Sequence, residues 1–82
     1  MITVLYFAWV RERIGLPREN VDTSAATVAD LVAELAAREE RYALAFADLS
    51  ALRVAVDQTL TGFDAPLGGV REVAFFPPMT GG

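Results

Sequence analysis

From Ile2 to Val10 the chain is almost wholly β-branched, aromatic or aliphatic, with neither glycine nor proline, so this stretch reads as a strand. Alternation puts Ile2, Val4, Tyr6 and Ala8 on one face and Thr3, Leu5, Phe7 and Trp9 on the other. Both faces are then largely apolar. Arg11 to Leu16 reads as a turn or a single helical turn, stopped by Gly15 and Pro17. Glu19 to Thr23 follows as a short second strand that completes a hairpin with the first.

The period then changes. Val28, Leu31, Val32, Leu35 and Ala36 recur at i, i+3, i+4, i+7 and i+8, the apolar stripe of an amphipathic helix. Thr27 is its N-cap, with Asp30 three residues on in a weak capping box. Glu34 and Arg38 form an expected i,i+4 pair on the outer face, and the helix is predicted to end near Glu40. Tyr42 to Ala47 adds a short second helix.

Leu52 to Val56 alternates as a strand, Asp57-Gln58 is a turn, and Thr59 to Thr61 is a short extended piece. Gly62 to Gly69 is loop. Glu72 to Phe76 is the last strand, with Val73 and Phe75 on one face and Ala74 and Phe76 on the other. It ends at Pro77-Pro78, where neither residue can donate to a ladder. Residues 77–82 are expected to project as a tail. The order strand, strand, helix, strand, strand is an α+β pattern, one helix across one face of a mixed sheet, in a single domain spanning 1–82.

Composition removes most chemistry. The chain has 82 residues, 54% hydrophobic and 22% charged, enough to fold around one thin core. It contains no cysteine and no histidine. Disulfides, cysteine nucleophiles and Ser-His-Asp catalysis are therefore excluded, and no metal site is expected. The net charge is −4, and the seven basic residues are all arginine, spread along the chain. A nucleic-acid partner needs a basic footprint and is not expected; an acidic surface suits a basic partner protein better. No apolar run has membrane-spanning length, and Met1 to Val10 lacks a basic leader and a small-residue cleavage site. A cytoplasmic protein with no membrane partner is expected.

Two features remain. If Ile2, Val4, Val73 and Phe75 face the helix, then Leu5, Phe7, Ala74 and Phe76 face away, with Leu60 as a candidate neighbour. That apolar face is either a partner surface or the place where Tyr42–Ala47 folds under. The second feature is Gly81-Gly82. Two closing glycines arise by chance in roughly 0.5% of chains at average usage. Glycine has no Cβ, so such a terminus can enter a narrow channel and be worked on by another enzyme. Its carboxylate becomes reactive once ATP converts it to an adenylate, a mixed anhydride that sulfide or a thiol attacks. The alternatives are a frayed end or a residue of cloning.

The runs Val56-Asp57-Gln58-Thr59-Leu60, Phe63-Asp64-Ala65-Pro66-Leu67 and Glu72-Val73-Ala74-Phe75-Phe76-Pro77-Pro78-Met79-Thr80-Gly81-Gly82 resemble the small subunit of molybdopterin synthase. Ile2 to Ala8, with Val10-Arg11-Glu12, resembles that family's start. The resemblance implies a ubiquitin-like β-grasp fold and a non-catalytic sulfur-donor subunit. An E1-like adenylyltransferase would use ATP to activate Gly82, and a sulfur donor such as a cysteine desulfurase system would make it a thiocarboxylate. The chain itself would bind no cofactor. The tail, Pro77, Pro78, Met79, Thr80 and Gly81, would enter the large subunit of a heterotetrameric synthase. Phe7, Leu60 and Phe76 would pack against that subunit, and two sulfur deliveries to cyclic pyranopterin monophosphate would form the dithiolene. The same carrier chemistry could serve another acceptor (thiamine thiazole, cysteine or a tRNA base), or Gly82 could be joined to proteins as a modifier. The chain departs from the family at Asp57, often Asn, and at Val70-Arg71, often a Gly-Asp turn. Both departures bear on local loop geometry.

Overall fold

A computed structural model describes residues 1–78. The elements run β1 (Ile2–Tyr6), α1 (Ala8–Ile14), β2 (Arg18–Val21), α2 (Val28–Arg38), α3 (Glu40–Ala45), a 3-10 turn at Leu49–Ala51, β3 (Arg53–Val56), β4 (Thr59–Thr61) and β5 (Glu72–Phe76). The five strands form one sheet in the order β2-β1-β5-β3-β4. β1 and β5 pair in parallel at its centre, and every other pairing is antiparallel.

The first strand is shorter than the apolar run that forms it. Phe7 is still extended and its N–H donates to Phe75 O at 3.1 Å, but Ala8 turns into the left-handed region with φ 53°. The chain leaves the sheet there and winds into α1. Val10 and Ile14, four residues apart, are both buried and hold that helix against the core. The strand expected through Val10 therefore ends at Tyr6, Ala8 is exposed, and Trp9 lies on α1 rather than beside Leu5 and Phe7. Gly15 ends α1 with φ 88°, a value that costs residues with a Cβ, and its N–H returns to Arg11 O.

α2 has its first four N–H groups satisfied. Val28 donates to Ala65 O and Ala29 to Phe63 O, so the loop after β4 caps the helix; Asp30 donates to Thr27 Oγ1 and Leu31 to Thr27 O. Val28, Leu31, Val32 and Leu35 are buried along one stripe. The helix stops at Arg38, because Glu39 is extended. The Glu34–Arg38 pair does not form: Glu34 accepts from Thr23 Oγ1, and Arg38 lies over the Tyr42 ring. The exposed Glu34 carboxylate has found a fixed hydroxyl, which costs less side-chain entropy than aligning two long chains.

α3 packs on the same side of the sheet as α1 and α2. Phe46, just after it, meets the Phe75 ring edge-on at 5.0 Å. Tyr42 and Tyr6 both donate to Glu19 Oε2, at 2.6 and 2.8 Å. One carboxylate oxygen thus ties β1, β2 and α3 together and satisfies two buried hydroxyls. Burial first, then the bond to Glu19, raises both phenol pKa values, that of Tyr42 to about 12.

Candidate functional site

With all three helices on one side, the other side of the sheet has no helix over it. The reading in which Tyr42–Ala47 folds under that side is thereby excluded: Tyr42, Ala45 and Phe46 are buried in the helix-side core. Alternation in β1 follows the expected split, with Ile2, Val4 and Tyr6 buried and Thr3 and Leu5 half-buried on the open side.

Strand register sets the open face in rows. One row reads Arg18, Leu5, Ala74, Ala55, Leu60 across all five strands. The next row, toward the C-terminal end of β5, sets Phe76 opposite Arg53, with Phe7 continuing β1 beside them. The row on the other side sets Asn20 and Glu72 against Thr3. The face is therefore polar at one end, aliphatic in the middle and aromatic at the end from which β5 leads into Pro77-Pro78. Phe7 is 45% exposed and Leu60 66%, while Phe76, Pro77 and Pro78 are half-buried.

The structure thus brings Phe7, Leu60 and Phe76 to one surface, together with Leu5, Ala55 and Ala74, all by strand alternation. Met79, Thr80, Gly81 and Gly82 lie outside the described residues. Ala55, like Arg18 and Arg53, joins this face without being expected there. The alternation of Arg53-Val54-Ala55-Val56 carries the signal, but only the register shows that Ala55 joins Ala74.

Charge is not distributed as the overall value of −4 suggests. The aliphatic and aromatic rows contain Arg18 and Arg53 and no acidic residue. Arg53 Nη1 donates to Leu52 O at 2.8 Å and Ser50 O at 3.3 Å, which pins its guanidinium to the turn before β3.

At the opposite end, Asp57 and Gln58 both have positive φ, 48° and 71°, the geometry of a tight I′ hairpin turn. Asp57 Oδ1 accepts from the backbone N–H groups of Arg71 and Glu72 at 3.0 and 2.9 Å. The two places where the chain departs from the family pattern thus meet, and the aspartate locks the start of β5.

A hollow of about 370 Å³ lies on the helix side between α1 and α3, lined by Trp9, Leu44 and Ala51 among others. Arg13 stacks on Trp9 there, 5.6 Å from the ring centre. Among the described residues no group of three His, Cys, Asp or Glu is placed to hold a metal ion, and no helix is long and apolar enough to cross a membrane.

A five-stranded mixed sheet with parallel first and last strands and its helices on one side is a ubiquitin-like β-grasp domain. SAMP1 from Haloferax volcanii shares the fold, with a TM-score of 0.76 over 99% of this chain and 98% of that one, at 24% identity. The chain belongs to the ThiS family, whose model matches residues 4–82. The molybdopterin synthase sulfur carrier subunit of Escherichia coli (strain K12) is 50% identical over 82 residues, the whole of both chains. That of Haemophilus influenzae (strain KW20) is 38% identical, again over the whole of both.

Proposed function

We infer that this chain is the sulfur carrier subunit of a molybdopterin synthase. The observation that carries the reading is the place of β5, which ends at Phe76 on the apolar open face and is followed in sequence by Pro77-Pro78 and then Gly81-Gly82. A partner that grips the aromatic end of the sheet is then six residues of chain from the terminal carboxylate. Full-length likeness to two subunits that bear this name supports it.

The reactive group is the Gly82 carboxylate. An ATP-dependent activating enzyme joins it to AMP with loss of pyrophosphate. Sulfide equivalents from a donor protein then attack the acyl carbon, AMP leaves, and the terminus becomes a thiocarboxylate. The large synthase subunit receives that terminus and directs its sulfur to the cyclic pyranopterin precursor. The general acids and bases are assigned to the partners; the chain itself offers neither a cysteine nucleophile nor a histidine. What this chain contributes is a rigid grip and a terminus without side chains.

The test is an intact mass of the chain after incubation with the host's activating enzyme, ATP and a sulfur source. Replacement of one oxygen by sulfur, mapped to Gly82, is the expected result. An unmodified chain, under conditions that thiolate a known carrier, would overturn the reading.

A further inference from the structure

The open face has a charge pattern that its apolar character does not require. Arg18 stands at one end of the aliphatic row, on the edge strand β2, and Arg53 stands on β3 beside Phe76. Between them lie Leu5, Ala74, Ala55 and Phe76, with no acidic side chain in either row. Arg41–Glu39 is the ion pair found among the described residues, so neither Arg18 nor Arg53 has a carboxylate partner there. In a chain of net charge −4, both arginines on the apolar patch are available to another molecule.

Their preparation for that role differs. Arg18 is exposed and forms no hydrogen bond through its side chain among the described residues. Arg53 is held by the carbonyls of Leu52 and Ser50, which fixes the guanidinium and leaves its other N–H groups to donate outward. A fixed guanidinium loses little freedom when a carboxylate arrives and can take it in a two-pronged grip. The two residues are separated by three strand spacings and one row along the strands, about 16 Å between backbones.

We propose that Arg18 and Arg53 are specificity residues for docking, and that the partner surface seated on this face is apolar at its centre with a carboxylate on each side. The occupant is the large synthase subunit, so the proposal rests on the carrier reading. The two ion pairs steer the approach and fix the orientation. The apolar contacts around Phe76 supply most of the grip. A basic surface, which the overall charge would favour, is repelled from the very patch it would have to cover.

The test compares association of the host's large subunit with the unaltered chain, Arg18→Glu, Arg53→Glu, the double reversal and Phe76→Ala, each over a series of salt concentrations. Arg53→Gln accompanies them, because reversal at Arg53 also removes two backbone contacts; far-UV circular dichroism confirms that each variant folds. The double reversal is expected to slow association about tenfold at low salt, with the difference closing as salt screens the charges. Phe76→Ala is expected to speed dissociation with an unaltered salt slope. Equal association rates and salt slopes for all the arginine variants, or faster association after reversal, would overturn the proposal. If Phe76→Ala alone weakens binding, the carrier reading stands and this one falls. If the unaltered chain does not bind the large subunit, both fall. A salt-sensitive change in the sedimentation of the chain alone, without a change in binding, would assign the face to a second copy and overturn it as well.

Discussion

Tyr42 donates its phenol proton to Glu19 Oε2 over 2.6 Å, in a position where its ring is fully buried. Burial and the carboxylate together keep that phenol neutral and raise its pKa from the ordinary 10.0 to about 12. Tyr6, on the same oxygen, is raised too. A raised folded pKa means the folded state is favoured while the group holds its proton. That advantage is complete below pH 10 and is lost as pH climbs toward 12. Stability should therefore be level from neutral pH to 10 and fall between 10 and 12. Both tyrosines of the chain lie in this cluster, so tyrosinate absorbance should appear only together with the loss of circular dichroism. Tyr42→Phe should cost about 1.5 kcal/mol in urea unfolding at neutral pH and make the alkaline fall shallower.

Phe75 and Phe76 are neighbours in β5 but point to opposite sides of the sheet. Phe75 is wholly buried against Tyr6 and Phe46, so Phe75→Leu should destabilise the fold by about 1–2 kcal/mol in denaturant unfolding. Phe76 is half-buried, so Phe76→Ala should cost about 1 kcal/mol of stability and, separately, weaken binding of the large subunit by about 2 kcal/mol, read by calorimetry. Leu44→Ala is the control. Leu44 is 58% exposed but lies on the helix side, and its loss should leave that affinity unchanged.

Asp57→Ala should cost about 1–2 kcal/mol of stability, since it removes the acceptor for two N–H groups and places a poorer residue at φ 48°. Asp57→Asn keeps the carbonyl oxygen and tolerates that backbone, and should recover most of the loss. Thermal unfolding of the three proteins would check this.

Removal of Gly82, or Gly82→Leu, should abolish thiocarboxylate formation in the mass assay. The same variants should unfold like the unaltered chain, because the described core ends at β5.

Much of this fold was legible because its strands alternate cleanly and α2 has a full apolar stripe with a threonine cap. The open face was legible for the same reason: Leu5, Phe7, Ala74 and Phe76 are fixed by period two once Val4 and Phe75 are placed inside. What failed was the boundary at Phe7. An apolar run continues through Val10, and nothing local shows that Ala8 adopts a left-handed turn; the i,i+4 spacing of Val10 and Ile14 was the faint sign of a helix. The Tyr6–Glu19–Tyr42 cluster was hidden by distance along the chain. The charge on the open face was hidden by register, since Arg18 and Arg53 are unremarkable until their strands are aligned with Leu5 and Phe76.

The parallel pairing of β1 with β5 bears on how the molecule takes mechanical load. Any force applied at the carboxyl end enters along β5, the middle strand, which is hydrogen-bonded to β1 on one side and β3 on the other. Such a pull runs along both ladders and must shear them together, instead of unzipping one bond at a time as it would from an edge strand. On the carrier reading, a terminus handed from one partner to another would be tethered at the part of the body that yields last.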